Sequence, residues 1–153
     1  MKTGGAAAAL ITAAVVVVAD QASKQIVVES IPRGDAVRVF PGLQIVNARN
    51  TGVAFGALEG GGWVLAILIG LSLALLLVYF ALHREQPWLW LAVGLLLGGA
   101  LGNLADRARE GAVIDFIDPA AWPAFNVADT CIVVGVLALL YAAEGRSRRA
   151  RSG

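Results

Sequence analysis

Along the chain, apolar residues gather into four long runs at about residues 6–28, 63–82, 88–104 and 127–143. Each approaches the roughly 20 residues needed to cross a hydrocarbon core. A backbone in hydrocarbon finds no water to bond, so each run is expected to be a helix. The polar stretches between them form two larger loops, about 29–62 and 105–126, and a short connection holding His83 and Arg84. Inside the first loop the period changes. "AVRVF" (36–40) and "LQIVNA" (43–48) alternate as strands do, and Pro41-Gly42 marks a turn between them. A small antiparallel sheet at the membrane surface is expected, too small to stand without the helices beneath it. "NTGVAFGAL" (50–58) follows, where Gly52 and Gly56 allow tight backbone paths, and "EGGGW" (59–63) reads as a hinge into the second span. The pattern predicts an all-α membrane protein, residues 1–153 as one integral domain, with four transmembrane helices and a small extracytoplasmic β-sheet subdomain.

Composition agrees with the pattern. The hydrophobic fraction is 58% and mean hydropathy is +0.75, above the roughly half-apolar make-up of a soluble domain. A net charge of +1 gives no basic excess for a nucleic-acid partner. A single cysteine, Cys131, excludes an internal disulfide and a thiolate cluster, and it reads as a small buried residue. A single histidine, His83, excludes a zinc site built on paired histidines, so neither metal nor cofactor is expected. The N-terminal "MKTGGAAAALITAAVVVVA" has the make-up of a signal peptide. Apolar character resumes after Lys24, however, and three more runs follow, so it reads as the first span. Arg146, Arg148, Arg149 and Arg151, with Lys2, His83 and Arg84, put both termini in the cytoplasm and the two larger loops outside. Trp63, Trp88 and Trp122 fall near span ends, as an interfacial aromatic belt would have them. Gly94, Gly98 and Gly102 make a small-residue stripe for close helix packing, within one four-helix unit ahead of dimerisation.

The polar residues in or beside the spans carry the chemistry. Asp20 and Lys24 stand one turn apart in the favourable order, either as an interfacial ion pair or as support for a site. Asp106 near a helix C-terminus opposes the dipole and needs a partner. Arg107 beside it reads as a clamp, and Asn103 can bond backbone or substrate. Asn126 is a good N-cap, with Asp129 at the position from which a carboxylate can reach back to the cap. Capping alone would explain both. It does not explain Asp115, an acid inside the apolar strand-like run "VIDFI". Asp118, before Pro119, reads as the start of a surface turn. Two carboxylates at a partly dry surface cannot both ionise easily and share a proton. One can then serve as base toward water while the other donates to a carbonyl, which is peptide hydrolysis by an acid pair. Asp129 in a first turn is favoured as the anion, so Asp115 is expected to hold the shared proton. His83 lies at the wrong face for a serine protease, and Ser23 and Lys24 diverge on a helix. A small ion-coupled transporter is the main rival, but the acids cluster on one side and no inverted repeat is visible. A scaffold with acids as caps and ion pairs is the third reading.

Five spaced motifs, "DQASK" (20–24), "NTGVAFG" (50–56), "GNLADR" (102–107), "GAVIDF" (111–116) and "FNVAD" (125–129), make the sequence resemble the bacterial lipoprotein signal peptidases, signal peptidase II. The resemblance implies an aspartyl protease of the bacterial cytoplasmic (inner) membrane. Such enzymes cut the signal peptide from diacylglyceryl-modified prolipoproteins just before the lipidated cysteine. It implies Asp115 and Asp129 as the catalytic pair. It implies Asp20, Lys24, Asn50, Gly52, Asn103, Asp106, Arg107 and Asn126 as the supporting or substrate-binding set. Inhibition by the cyclic peptide globomycin comes with the resemblance, and a monomer among membrane lipid is the default expectation.

Overall fold

The structure is a computed structural model that describes residues 4–52 and 62–151, with side chains through 4–52 and 67–144. Most of "NTGVAFG", the "EGGG" hinge and the Trp63 side chain lie outside the described residues. In chain order the elements are α1 (Gly4–Ser30), β1 (Ala36–Phe40), β2 (Leu43–Asn50), α2 (Gly62–Leu82), α3 (Leu89–Glu110), β3 (Val113–Pro119) and α4 (Val127–Arg151). The protein is thus mostly helical, with one small antiparallel sheet in the order β1-β2-β3. Among the described residues, α1, α3 and the Val127–Glu144 part of α4 are long and apolar enough to cross a membrane. The apolar stretch of α2 searched, Ile67–Leu82, is shorter.

The bundle has an apolar exterior and a polar interior. Leu10, Ile11, Val15, Leu71, Leu75, Val133 and Leu137 are exposed, while Asp20, Lys24, Asp106 and Asn126 are almost fully buried. Water would reverse that order; a hydrocarbon solvent does not.

The helix α3 is central, and glycine sets how closely its neighbours approach. A Cβ on Gly94 would lie 2.6 Å from Thr12 Cβ, and one on Gly98 2.6 Å from Val16 Cβ. One on Gly102 would lie 2.6 Å from Asp20 Oδ2. The expected stripe therefore packs inside the chain, against α1. On another face, a Cβ on Gly99 would sit 2.5 Å from the Ala128 carbonyl oxygen of α4. Where hydrocarbon supplies no hydrophobic drive, such contact is how helices hold together. The helix also runs past the expected span end at Leu104 to Glu110. It stops at Gly111, whose left-handed backbone (φ 71°) lets its N–H bond the Arg107 carbonyl oxygen at 3.0 Å.

The two strands read from the sequence pair as expected, and "VIDFI" joins them as the third. The β2–β3 register shifts between Ile45 and Ala48, a bulge that turns Asn47 out of the ladder. Asn47 Nδ2 then donates to the Ile31 carbonyl at 2.6 Å, fastening β2 to the end of α1. Beneath the sheet, Val27, Ile31 and Phe116 form a core with Ile45, Ile117 and Val127 against it. Asp118 does not start a turn. It lies in β3 opposite Gln44, whose amide donates to it at 2.5 Å, and the turn follows at Pro119. The sheet partner comes from a distant stretch, which local turn signals could not reveal. The loop after β3 is closed at its base. Phe125 N–H donates to Ile117 O, and Ile117 N–H returns a bond to Phe125 O, each at 2.9 Å.

Candidate active site

That closure brings Asn126 and the start of α4 beside Asp115. The Asp115 carboxylate is buried and accepts from Asn126 Nδ2 at 2.8 Å and Asn50 Nδ2 at 2.9 Å. Asn50 is itself oriented: Gly52, at φ 77°, donates its N–H to Asn50 Oδ1 at 2.9 Å, leaving the amide nitrogen toward Asp115. Burial pushes the Asp115 carboxyl above the ordinary carboxylate value, and the Asp129 charge pushes the same way. The Asn50 and Asn126 bonds and the Lys24 charge oppose them without reversing the direction.

Asp129 stands in the first turn of α4. Asn126 Oδ1 accepts its backbone N–H at 2.8 Å, so Asn126 is a working cap. The Asp129 side chain does something else than reach back to that cap. Its Oδ1 accepts from Asn103 Nδ2 at 2.7 Å, because α3 packs close enough to offer a better-placed amide. Asn103 Oδ1 in turn accepts from Lys24 Nζ and from Asn126 Nδ2, each at 3.1 Å. The lysine fixes which way the Asn103 amide points: a cation faces the oxygen, so the nitrogen must face Asp129.

Below this lies a second acidic cluster. Lys24 Nζ sits 2.7 Å from Asp20 Oδ2 and 2.7 Å from Asp106 Oδ2, all three nearly inaccessible. Asp20 and Lys24 are therefore no interfacial pair but part of a dry junction between α1 and α3. Gln21 adds bonds to Asp20, to Asp106 and to the Gly102 carbonyl. The partner of Asp106 is Lys24, with Arg109 at 3.3 Å, and the Asp106–Arg107 clamp does not form. Adjacent helical side chains point apart, which is why sequence proximity misled. Arg107 is half-buried, and its side chain shows no hydrogen bond or ion pair among the described residues. The sequence reading missed Gln21; its place inside "DQASK", next to Asp20 and three residues before Lys24, was the available signal.

Two acids brought to one surface by neutral amides can divide one proton between them. No ammonium or guanidinium bonds either carboxylate among the described residues, so nothing forces both to ionise. That is the arrangement general acid–base hydrolysis needs.

Comparisons with known proteins point to one family. The family model described as signal peptidase (SPase) II matches residues 12–143. A lipoprotein signal peptidase of Syntrophomonas wolfei is 42% identical over 122 residues, covering 79% of this chain and 82% of that protein. One from Halothermothrix orenii is 34% identical over 122 residues, covering 79% and 84%. A solved structure described as a bacterial membrane enzyme superposes with a TM-score of 0.79 at 35% identity, covering 88% of this chain and 91% of that one.

Proposed function

This chain belongs to the signal peptidase II family, and on that premise we propose that it removes signal peptides from prolipoproteins by an aspartic mechanism, with Asp115 and Asp129 as the catalytic pair. The observation that carries this reading is the amide link between them. Asn126 bonds Asp115 and Asn103, and Asn103 bonds Asp129. Both carboxylates thus belong to one amide network, and no counter-ion bonds either among the described residues. The raised Asp115 carboxyl supports it as the carrier of the shared proton, and the helix start at which Asp129 stands suits that residue to the role of base. Asp129 takes a proton from water as the oxygen attacks the scissile carbonyl carbon. Asp115 gives its proton to the carbonyl oxygen. In collapse of the tetrahedral diol, the proton held by Asp129 passes to the departing amine, Asp115 recovers its own from the diol hydroxyl, and the C–N bond breaks.

The bond cut is the one just before the diacylglyceryl cysteine, and Asp20, Lys24, Asn50, Gly52, Asn103, Asp106, Arg107 and Asn126 support or contact the substrate. The unpaired Arg107, one turn beyond Asn103 on α3, is suited to a substrate carbonyl. The chain is one integral domain with α2 as a fourth span, monomeric, in the bacterial inner membrane with both termini cytoplasmic. The arginine-rich tail supports that orientation. The site then lies toward the outer face, since every polar site residue sits at the end of the bundle away from the termini. A globomycin-type peptide would compete for the same site. The test is incubation of the purified protein with a diacylglyceryl prolipoprotein. Wild type cleaves it, and Asp115→Asn and Asp129→Asn do not. Retained cleavage by either variant overturns the pair.

A further inference from the structure

Three buried charged groups take no part in the proposed chemistry: Asp20, Lys24 and Asp106. Their outward bonds form a pattern. Asp20 holds Lys24 with Oδ2 and accepts the Ala128 N–H with Oδ1 at 2.9 Å. Asp106 holds Lys24 with Oδ2 and accepts the Ile114 N–H on the same oxygen at 3.2 Å. Ala128 immediately precedes Asp129, and Ile114 immediately precedes Asp115. Each buried acid therefore grips the peptide next to one member of the pair, and a single ammonium ties the two grips together. The same Lys24 Nζ also holds the Asn103 oxygen, whose amide nitrogen serves Asp129.

We propose that the Asp20–Lys24–Asp106 bridge is a positioning device that sets the separation of Asp115 and Asp129. This rests on the proposed catalytic pair. The Ala128 N–H is one of the unpaired donors of a helix start, and a local cap would have sufficed for it. Here its acceptor comes from α1, so the placement of α4's first turn depends on where Asp20 stands. Asp20 cannot drift toward α3, because Gly102 leaves it only the room of a missing side chain. It cannot drift away without leaving the ammonium. Asp106 fixes β3 in the same way. The distance between the pair is thus measured through two short ion contacts inside the bundle, and not through the exposed loop that joins them.

The experiment compares steady-state cleavage of a diacylglyceryl prolipopeptide in defined vesicles by wild type, Lys24→Met, Lys24→Arg and the uncharged triple variant D20N/K24M/D106N. Thermal unfolding is measured in parallel. Misplacing reacting groups by about 1 Å lowers rate by about 100-fold, so kcat of folded Lys24→Met should fall by that order. KM should stay within about twofold, since the substrate's apolar parts bind elsewhere. Lys24→Arg should recover part of the loss. The triple variant has no unpaired buried charge and answers the case in which Lys24→Met does not fold. If it folds with wild-type kcat, the bridge serves stability alone and the proposal is overturned. If its kcat falls with KM kept, the bridge positions the pair. Asp115→Asn, assayed alongside, separates the two readings. Should it still cleave, the catalytic pair itself is wrong, whatever the triple variant does.

Discussion

The molecule holds two pairs of aspartates with opposite treatment. Asp20 and Asp106 share a lysine at 2.7 Å on each side. Asp115 and Asp129 share only asparagine amides. An ammonium offsets the charge of both acids of the lower pair and joins α1 to α3. An amide fixes position without supplying charge, which is what the catalysis proposed for the upper pair requires. Residue type is identical in the two places; what differs is the group that bridges the acids, and the two proposed roles rest on that difference.

The sharpest way to break this contrast is to remove one acid of the upper pair. Asp129→Asn should lower kcat by about 10⁴-fold, the upper range for acid–base groups, with unfolding temperature little changed. Removing the upper pair's proton chemistry in this way should cost rate and not fold. Next, giving the upper pair a charge through its bridge should disable it. Asn103→Asp turns the donor to Asp129 into a competing anion, and kcat should fall by about 100-fold in single-turnover assays, near the cost of losing one preorganised donor. Third, Lys24→Met leaves buried Asp20 without a counter-ion and Asp106 with Arg109 alone, and should lower stability by about 3–5 kcal/mol, read from denaturant or thermal unfolding in detergent. Smallest is a pH effect. The Asp115 carboxyl is raised from 3.8, so in the folded state it keeps its proton to higher pH than in the unfolded chain. Between 3.8 and its folded value the native state binds more protons, so stability should fall as pH rises through that window and then level off. Asp115→Asn should flatten this slope, as followed by unfolding midpoints against pH. A wild-type stability that rises across that window would reverse the assignment of burial as the dominant influence on Asp115.

Local patterns were legible in the sequence. The alternation in 36–40 and 43–48 and the Pro41-Gly42 turn gave the hairpin, since strand period and turn chemistry are short-range properties. The stripe of Gly94, Gly98 and Gly102 gave the tight face of α3 for the same reason. Asp115 stood out because no local role explained an acid in an apolar strand. What failed were pairings chosen by neighbourhood. Arg107 adjoins Asp106 in sequence, yet Lys24 reaches it from another helix. Asp129 stands where a capping box would turn it inward, yet Asn103 takes it. Asp118 precedes a proline, yet Gln44 holds it in the sheet. In each case a partner from a distant segment outcompeted the near one: glycine contacts bring α1 and α4 close to α3 in the first two, and strand pairing sets Gln44 opposite Asp118 in the third.

The closed base of the loop after β3 has a separate consequence. Phe125 and Ile117 exchange backbone bonds ahead of Asn126, and Ala120 N–H donates to the Gly42 carbonyl oxygen, so only the tip beyond Ala120, held by the local Trp122 N–H bond to Pro119 O, projects from the hydrogen-bonded frame. Doubling the length of such a segment costs only about 0.6 kcal/mol of closure entropy. A reporter peptide or epitope grafted between Ala120 and Ala121 would therefore ride on the surface of a working protease. That gives a handle for watching single molecules in a membrane.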